Sequence, residues 1–171
     1  QTKKIFLLGE PCLYKEFREM GINIVCSNEE IKKIEDFPDL KNYQPDPDIV
    51  AVVVGFDRLL NYTKVALASI YILENDALFF ATNPDTTFHI PPNRVLPEAQ
   101  SSIAQISSTV HKDPIYIGKT SQILLETILN QHNINPKRAL MVGDRLDTDV
   151  QFGFNGGLDT LLVFSGVTRK K

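Results

Sequence analysis

DIVAVVVGFD, residues 48–57, decides the fold class. Ile49, Val50, Val52, Val53 and Val54 put five β-branched residues into one apolar run, the composition of a strand. A strand with one wet face would alternate apolar and polar residues. This one does not, which predicts burial on both faces and a mainly parallel sheet with helices on either side. Upstream, KIFLLGE predicts a strand over residues 4–8 closed by Gly9. CLYKEFREMG sets Leu13, Phe17 and Met20 at helical spacing with Gly21 as the stop, and INIVCS reads as a second short strand. Residues 27–48 are polar, contain Pro38, Pro45 and Pro47, and read as a long connection with one helical turn in NEEIKKIED.

Downstream, NYTKVALASIYILEN is an amphipathic helix with Val65, Leu67, Ala68, Ile70, Tyr71 and Leu73 as candidates for its buried side. ALFFATNPD is a strand and turn, PPNRVL a loop, and PEAQSSIAQISSTV a helix with Pro97 near its start. From residue 114 the alternation continues. IYIG is a strand, TSQILLETILNQHN a helix led by two capping hydroxyls, ALMVGD a strand, DTDVQFGFNGG a helix and LDTLLVFSG a strand. The expected fold class is α/β with mainly parallel sheets and flanking helices, and the expected seam lies at Asp113–Pro114.

Composition narrows the function classes. The 171 residues are 43% apolar and 23% charged, enough for one ordinary domain or two small ones. A net charge of −3 gives no basic excess for nucleic acid, and TRKK at the C-terminus reads as a solvated end. Cys12 and Cys26 have no CxxC spacing, so they make neither a zinc site nor a disulfide framework; they read as semi-buried thiols in a reducing compartment. No apolar run approaches the roughly 20 residues of a membrane span, and QTKKIFLLGE carries too short an apolar stretch for a signal peptide, so a cytoplasmic protein is expected. The chain starts without Met, enters a strand almost at once and stops shortly after LLVFSG. Both ends are therefore expected to continue in a longer protein.

The chemistry concentrates in two turns. In MVGDRLDTDVQFGFNGG, residues 141–157, Gly143 and Asp144 close a strand, the place where open α/β sheets bind ligands. A carboxylate there suits a hard cation such as Mg²⁺. Asp147 and Asp149 follow at a helix start, where the helix dipole favours acids whatever the function; Asp147 reads mainly that way and Asp149 reads either way. In YIGKTS, Gly118, Lys119 and two hydroxyls lead into a helix, an anion site without the upstream glycine of a P-loop. A phosphate-sized positive site beside a cation site suits phosphoryl chemistry. In ATNPDTTFHI, Asn83, Asp85 and Thr86 follow a strand, although NPD is also an ordinary turn. His89, His111 and His132 fit no Ser–His–Asp order, and no G-x-S-x-G elbow exists, which excludes acyl hydrolysis.

IYIGKTSQILLETIL followed by ALMVGDRLDTDVQFGFNGGLDTLLVFSGVT resembles the haloacid-dehalogenase superfamily of phosphatases. The resemblance is to the branch with 4-nitrophenylphosphatase, phosphoglycolate phosphatase, pyridoxal-phosphate phosphatase and the NagD-like enzymes. KKIFLLGE, VAVVVGFDRLLNYTKVALASIYI and LFFATNPDTTF are similar to its large α/β cap. The resemblance implies residues 1–113 as a substrate-specificity cap and residues 114–171 as part of a Rossmann-like core. It implies Mg²⁺-dependent hydrolysis of a small phosphorylated metabolite through an aspartyl-phosphate. Lys119 would hold the phosphoryl group, Asp144 would bind Mg²⁺ with Asp149 in support, Asn83 and Asp85 would face the substrate, and a homodimer could form through the cap. The departures carry weight. The D-x-D-G nucleophile motif and the Ser/Thr phosphate-binding segment are absent, Thr120 stands where Pro is usual, and LPEAQSS replaces P-G-A-G-S. The chain alone is therefore expected to be inactive, and ALMVG to have an unpaired apolar edge. The alternative expectation is a non-catalytic pseudo-phosphatase that binds a partner or dimerises.

Overall fold

The computed structural model describes residues 3–90 and 94–169. Five strands, β1 (Lys4–Leu8), β2 (Ile24–Cys26), β3 (Ile49–Val54), β4 (Leu78–Ala81) and β7 (Ile115–Tyr116), pair in the order β2-β1-β3-β4-β7, each pair parallel. The continuous run in β3 is explained by its central place. Val52 and Val54 face the larger core with Leu67, Tyr71 and Ile72 of α4 (Tyr62–Glu74) and Ile103 and Ile106 of α5 (Ala99–Val110). Val53 points the other way, against Leu7, Cys26 and Tyr14 of α1 (Pro11–Glu19). The period of two is present, but both faces are apolar because helices cover both.

Several local expectations change. Residues 27–48 hold more helix than one turn: α2 (Ser27–Glu30), a short 3-10 turn (Ile31–Lys33) and α3 (Phe37–Asn42). α3 is set by a capping box in which Asp36 accepts from the Asp39 N–H and Asp39 accepts from the Asp36 N–H. PPNRVL is not all loop. Arg94 opens β6 (Arg94–Pro97), which pairs antiparallel with β5 (Thr87–Ile90); Pro91, Pro92 and Asn93 lie outside the described residues. Pro97 thus ends a strand, and Glu98 caps α5 by accepting from the Ala99 N–H. In α4, Leu73 is exposed, and Lys64 and Ile72 are buried in addition to Leu67, Ala68 and Tyr71. Met20 and Cys12 are exposed as well.

After β7 come α6 (Gln122–Gln131), β8 (Leu140–Gly143), a wide π-type turn (Leu146–Val150), α7 (Gln151–Asn155) and β9 (Asp159–Leu162). Ser121 stands at the start of α6 without a side-chain capping bond. The expected single helix over DTDVQFGFNGG begins instead as the wide turn, because the Asp149 side chain is drawn back onto the backbone at Asp144 and Arg145. β8 and β9 pair parallel as a separate two-stranded sheet, while β7 is hydrogen-bonded to β4. No described helix is long and apolar enough to cross a membrane.

Candidate active site

The turn after β8 is organised by Asp149, which is 2% exposed. Its Oδ2 accepts the N–H groups of Asp144 and Arg145, both at 3.1 Å. A side chain at Gly143 would put its Cβ 2.2 Å from the Asp149 Cβ, so the close approach requires glycine. The other oxygen, Oδ1, lies 2.8 Å from Lys119 Nζ. Burial alone would push the Asp149 carboxyl up, but Lys119 and the two backbone donors outweigh it and hold it below its ordinary value. Lys119 in turn is raised, first by its bond to Asp149, then by the fields of Asp85 and Asp144. Lys119, Asp85, Asp144 and Asp149 therefore share one electrostatic neighbourhood.

Asp144 is held from the far side by the segment after β9. Its Oδ2 accepts the Val167 N–H at 2.7 Å, and its carbonyl accepts the Thr168 N–H at 3.1 Å. A Cβ at Gly166 would fall 1.9 Å from that Oδ2. The second carboxylate oxygen of Asp144 has no hydrogen-bond partner among the described residues. It fits as one hard oxygen donor to a divalent cation. Of the Asp149 oxygens, Oδ2 holds the turn and Oδ1 is buried in an ion pair with Lys119, which places Asp149 in support of Asp144. No group of three or more His, Cys, Asp or Glu side chains suited to a metal exists among the described residues.

The Lys119 turn packs directly on the turn after β4: a Cβ at Gly118 would lie 1.9 Å from the Thr82 carbonyl oxygen. Thr120 has φ of +78°, a left-handed conformation that proline cannot adopt and that strains a β-branched residue. Across from it, Asn83 is tied into its own turn. Its amide donates to Asp85 Oδ2 at 3.1 Å and Glu98 Oε2 at 2.8 Å, and its Oδ1 accepts from Thr82. Asp85 and Asp144 line a cavity of about 750 Å³ together with Phe88, His89, Arg145 and Arg169. Arg145 and Glu98 are functional neighbours that the motifs of the sequence do not single out. The signal for Arg145 was its place between Asp144 and Asp147; for Glu98, an acid directly before a helix.

The fold and these turns define an α/β protein with a lysine–carboxylate site on adjacent strand-to-helix turns. Residues 116–171 match the HAD-hydrolase-like family profile. Phosphoglycolate phosphatase 1A, chloroplastic, of Arabidopsis thaliana is 35% identical over 169 residues, which are 98% of this chain and 47% of that protein. The p-nitrophenyl phosphatase from Archaeoglobus fulgidus superposes with a TM-score of 0.78 at 27% identity, over 99% of this chain and 57% of that one. The glycerol phosphate phosphatase from Mycobacterium tuberculosis, in complex with calcium, superposes at 0.74 and 26% identity, over 98% of this chain and 44% of that one. Over nearly its whole length the chain is similar to these phosphatases, and its C-terminal third matches the HAD-hydrolase-like profile. It spans about half the length of the curated relatives it matches.

Proposed function

We propose that this chain is the cap and second core half of a Mg²⁺-dependent phosphomonoesterase that acts on a small phosphorylated metabolite through an aspartyl-phosphate. The observation that carries the reading is Lys119 Nζ at 2.8 Å from Asp149, whose other oxygen fixes the backbone of Asp144. Lys119 supplies a mobile positive charge for phosphoryl oxygens, and its raised pKa keeps it protonated. Asp144 offers one oxygen to Mg²⁺, which when bound would neutralise phosphoryl charge. Asp149 keeps Lys119 and Asp144 in register. Asp85, His89 and Arg169 line the space for the organic part of the substrate. The pairing of β7 with β4 favours a boundary between cap and core just after Tyr116, close to the seam read at Asp113–Pro114. A cytoplasmic setting and a cap-mediated homodimer belong to the same proposal.

The nucleophile of this scheme is not among the 171 residues, since none of them forms D-x-D-G. The purified chain is expected to hydrolyse no 4-nitrophenyl phosphate above the blank, with or without Mg²⁺. The protein extended upstream in its reading frame is expected to gain Mg²⁺-dependent turnover, and to lose roughly 100-fold or more on Asp144→Asn or Lys119→Met. Turnover by the 171-residue chain itself would overturn the scheme. An upstream frame without D-x-D-G would hand the case to the pseudo-phosphatase reading.

A further inference from the structure

Among the described residues, every side-chain hydrogen bond or ion pair joining residues 3–116 to residues 118–169 comes from Arg145. Its guanidinium is oriented from its own turn by a two-pronged contact with Asp147, Nε to Oδ1 at 3.0 Å and Nη2 to Oδ2 at 2.7 Å. Such a fork fixes a planar guanidinium far better than it could fix an ammonium. The remaining nitrogen, Nη1, donates to the Thr87 carbonyl at 3.4 Å, at the first residue of β5. On the same side, Asp85 Oδ1 is buried with no hydrogen-bond partner and lies 3.6 Å from Arg145 Nε. A buried carboxylate oxygen left without a donor is costly unless a cation stands by it. The side chain of Arg145 is only 13% exposed, so water screens this contact weakly.

We propose that Arg145 is a latch. It is a positioning residue that ties the β5–β6 hairpin, through Asp85 and the Thr87 carbonyl, to the turn that carries Asp144. Asp85 Oδ1 meets the guanidinium as an ion pair at 3.6 Å: the single Nε hydrogen is already given to Asp147, so this side of the latch is held by charge. Asp147 is the arm that aims the latch, which gives that carboxylate a task beyond favouring a helix start. Asp85 is then engaged by the protein itself, and its effect on a substrate runs through the position of the hairpin. That last consequence rests on the proposed phosphatase reading, whereas the latch does not.

The test is amide hydrogen exchange on the 171-residue chain. Arg145→Met is expected to speed exchange at residues 83–88 on the order of fivefold while the protection of β1 and β3 is unchanged. Arg145→Lys keeps the charge without the fork and is expected to restore part of that protection. Asp85→Asn, on the opposite side, is expected to speed exchange at residues 144–149. Once Arg145→Met is in place, Asp85→Asn should add little, because both remove one interaction. A merely local stabilising role for each residue would make the two effects add, and additivity overturns the latch. So does unchanged exchange at residues 83–88 in a folded Arg145→Met chain. If Arg145→Met disrupts the second sheet, Asp85→Asn alone decides, and no response at residues 144–149 overturns the proposal. The readout needs no turnover, so failure of the phosphatase reading leaves it intact.

Discussion

Asp149 shows how one buried side chain can hold two turns together. It is nearly fully buried and carries charge because two backbone donors and Lys119 surround it. Its folded pKa lies below the ordinary 3.8, so its stabilisation is present above that value and is lost as pH falls through the folded pKa. Lys119 lies above its ordinary 10.5, so its part is complete below that value and is lost as pH rises through its folded pKa. Between these limits the contribution is flat. Asp149→Asn removes the charge that both donors and Lys119 use. It is expected to cost about 1–3 kcal/mol in urea denaturation at neutral pH, discounted for a lysine that remains half exposed. The gap between the two proteins should close as pH drops below 3.8, because the wild type then loses the same charge. A gap that stays constant into acid would show that packing, not charge, carries the effect. Asp144 was legible as a strand-end acid in sequence. The separate task of Asp149 was not, because the two backbone bonds that define it depend on the width of the turn at Leu146–Val150.

At the scale of elements, the loop after β3 is pinned to α4 by a buried ion pair. Lys64 Nζ and Asp57 Oδ2 are 2.7 Å apart, with side chains 0% and 2% exposed. Asp57 Oδ1 also accepts the Leu59 N–H, and Asn61 caps the helix by accepting the Lys64 N–H. Lys64→Met leaves a carboxylate buried beside an apolar chain, and such a change costs roughly 3–5 kcal/mol. The double change with Asp57→Asn removes the stranded charge and is expected to recover a large part of that loss in the same denaturation assay. Equal stability of the single and double variants would refute the charge argument. Lys64 also shows why some of the fold escaped the sequence. In NYTKVALASIYILEN a lysine reads as the wet face, yet this one is buried because its partner arrives from the preceding loop. The β5–β6 hairpin escaped for a related reason: prolines at Pro91, Pro92 and Pro97 suppress a strand reading, and an edge ribbon can still carry Pro97 at its end. Where burial came from composition alone, as in β1 and β3, sequence and structure agree.

For the whole molecule, apolar composition and burial part company in the second sheet. ALMVG looks as apolar as KIFLL, but Leu140 is 55% exposed and Val142 51%, whereas Phe6, Leu7 and Leu8 are fully buried. Leu161, the register partner of Val142, is 49% exposed, so one face of the β8–β9 pair is an open apolar strip. A two-stranded sheet with an uncovered face is marginal by itself, and its unpaired edge is open to association. Stability should therefore be uneven along the chain. Val54→Ala, at 0% exposure, removes two buried carbons and leaves a cavity, a loss of about 2 kcal/mol. Val142→Ala removes the same atoms from a solvent-facing position and should change stability by less than about 0.5 kcal/mol. Amides of Met141–Gly143 should exchange well before those of Val52–Val54, and urea should melt the two regions in separate steps. If Val142→Ala proves as costly as Val54→Ala, or if one cooperative transition covers both sheets, then β8 is covered in solution. The open strip would then be an interface in use, and sedimentation at rising concentration would identify a second copy of the chain as its cover.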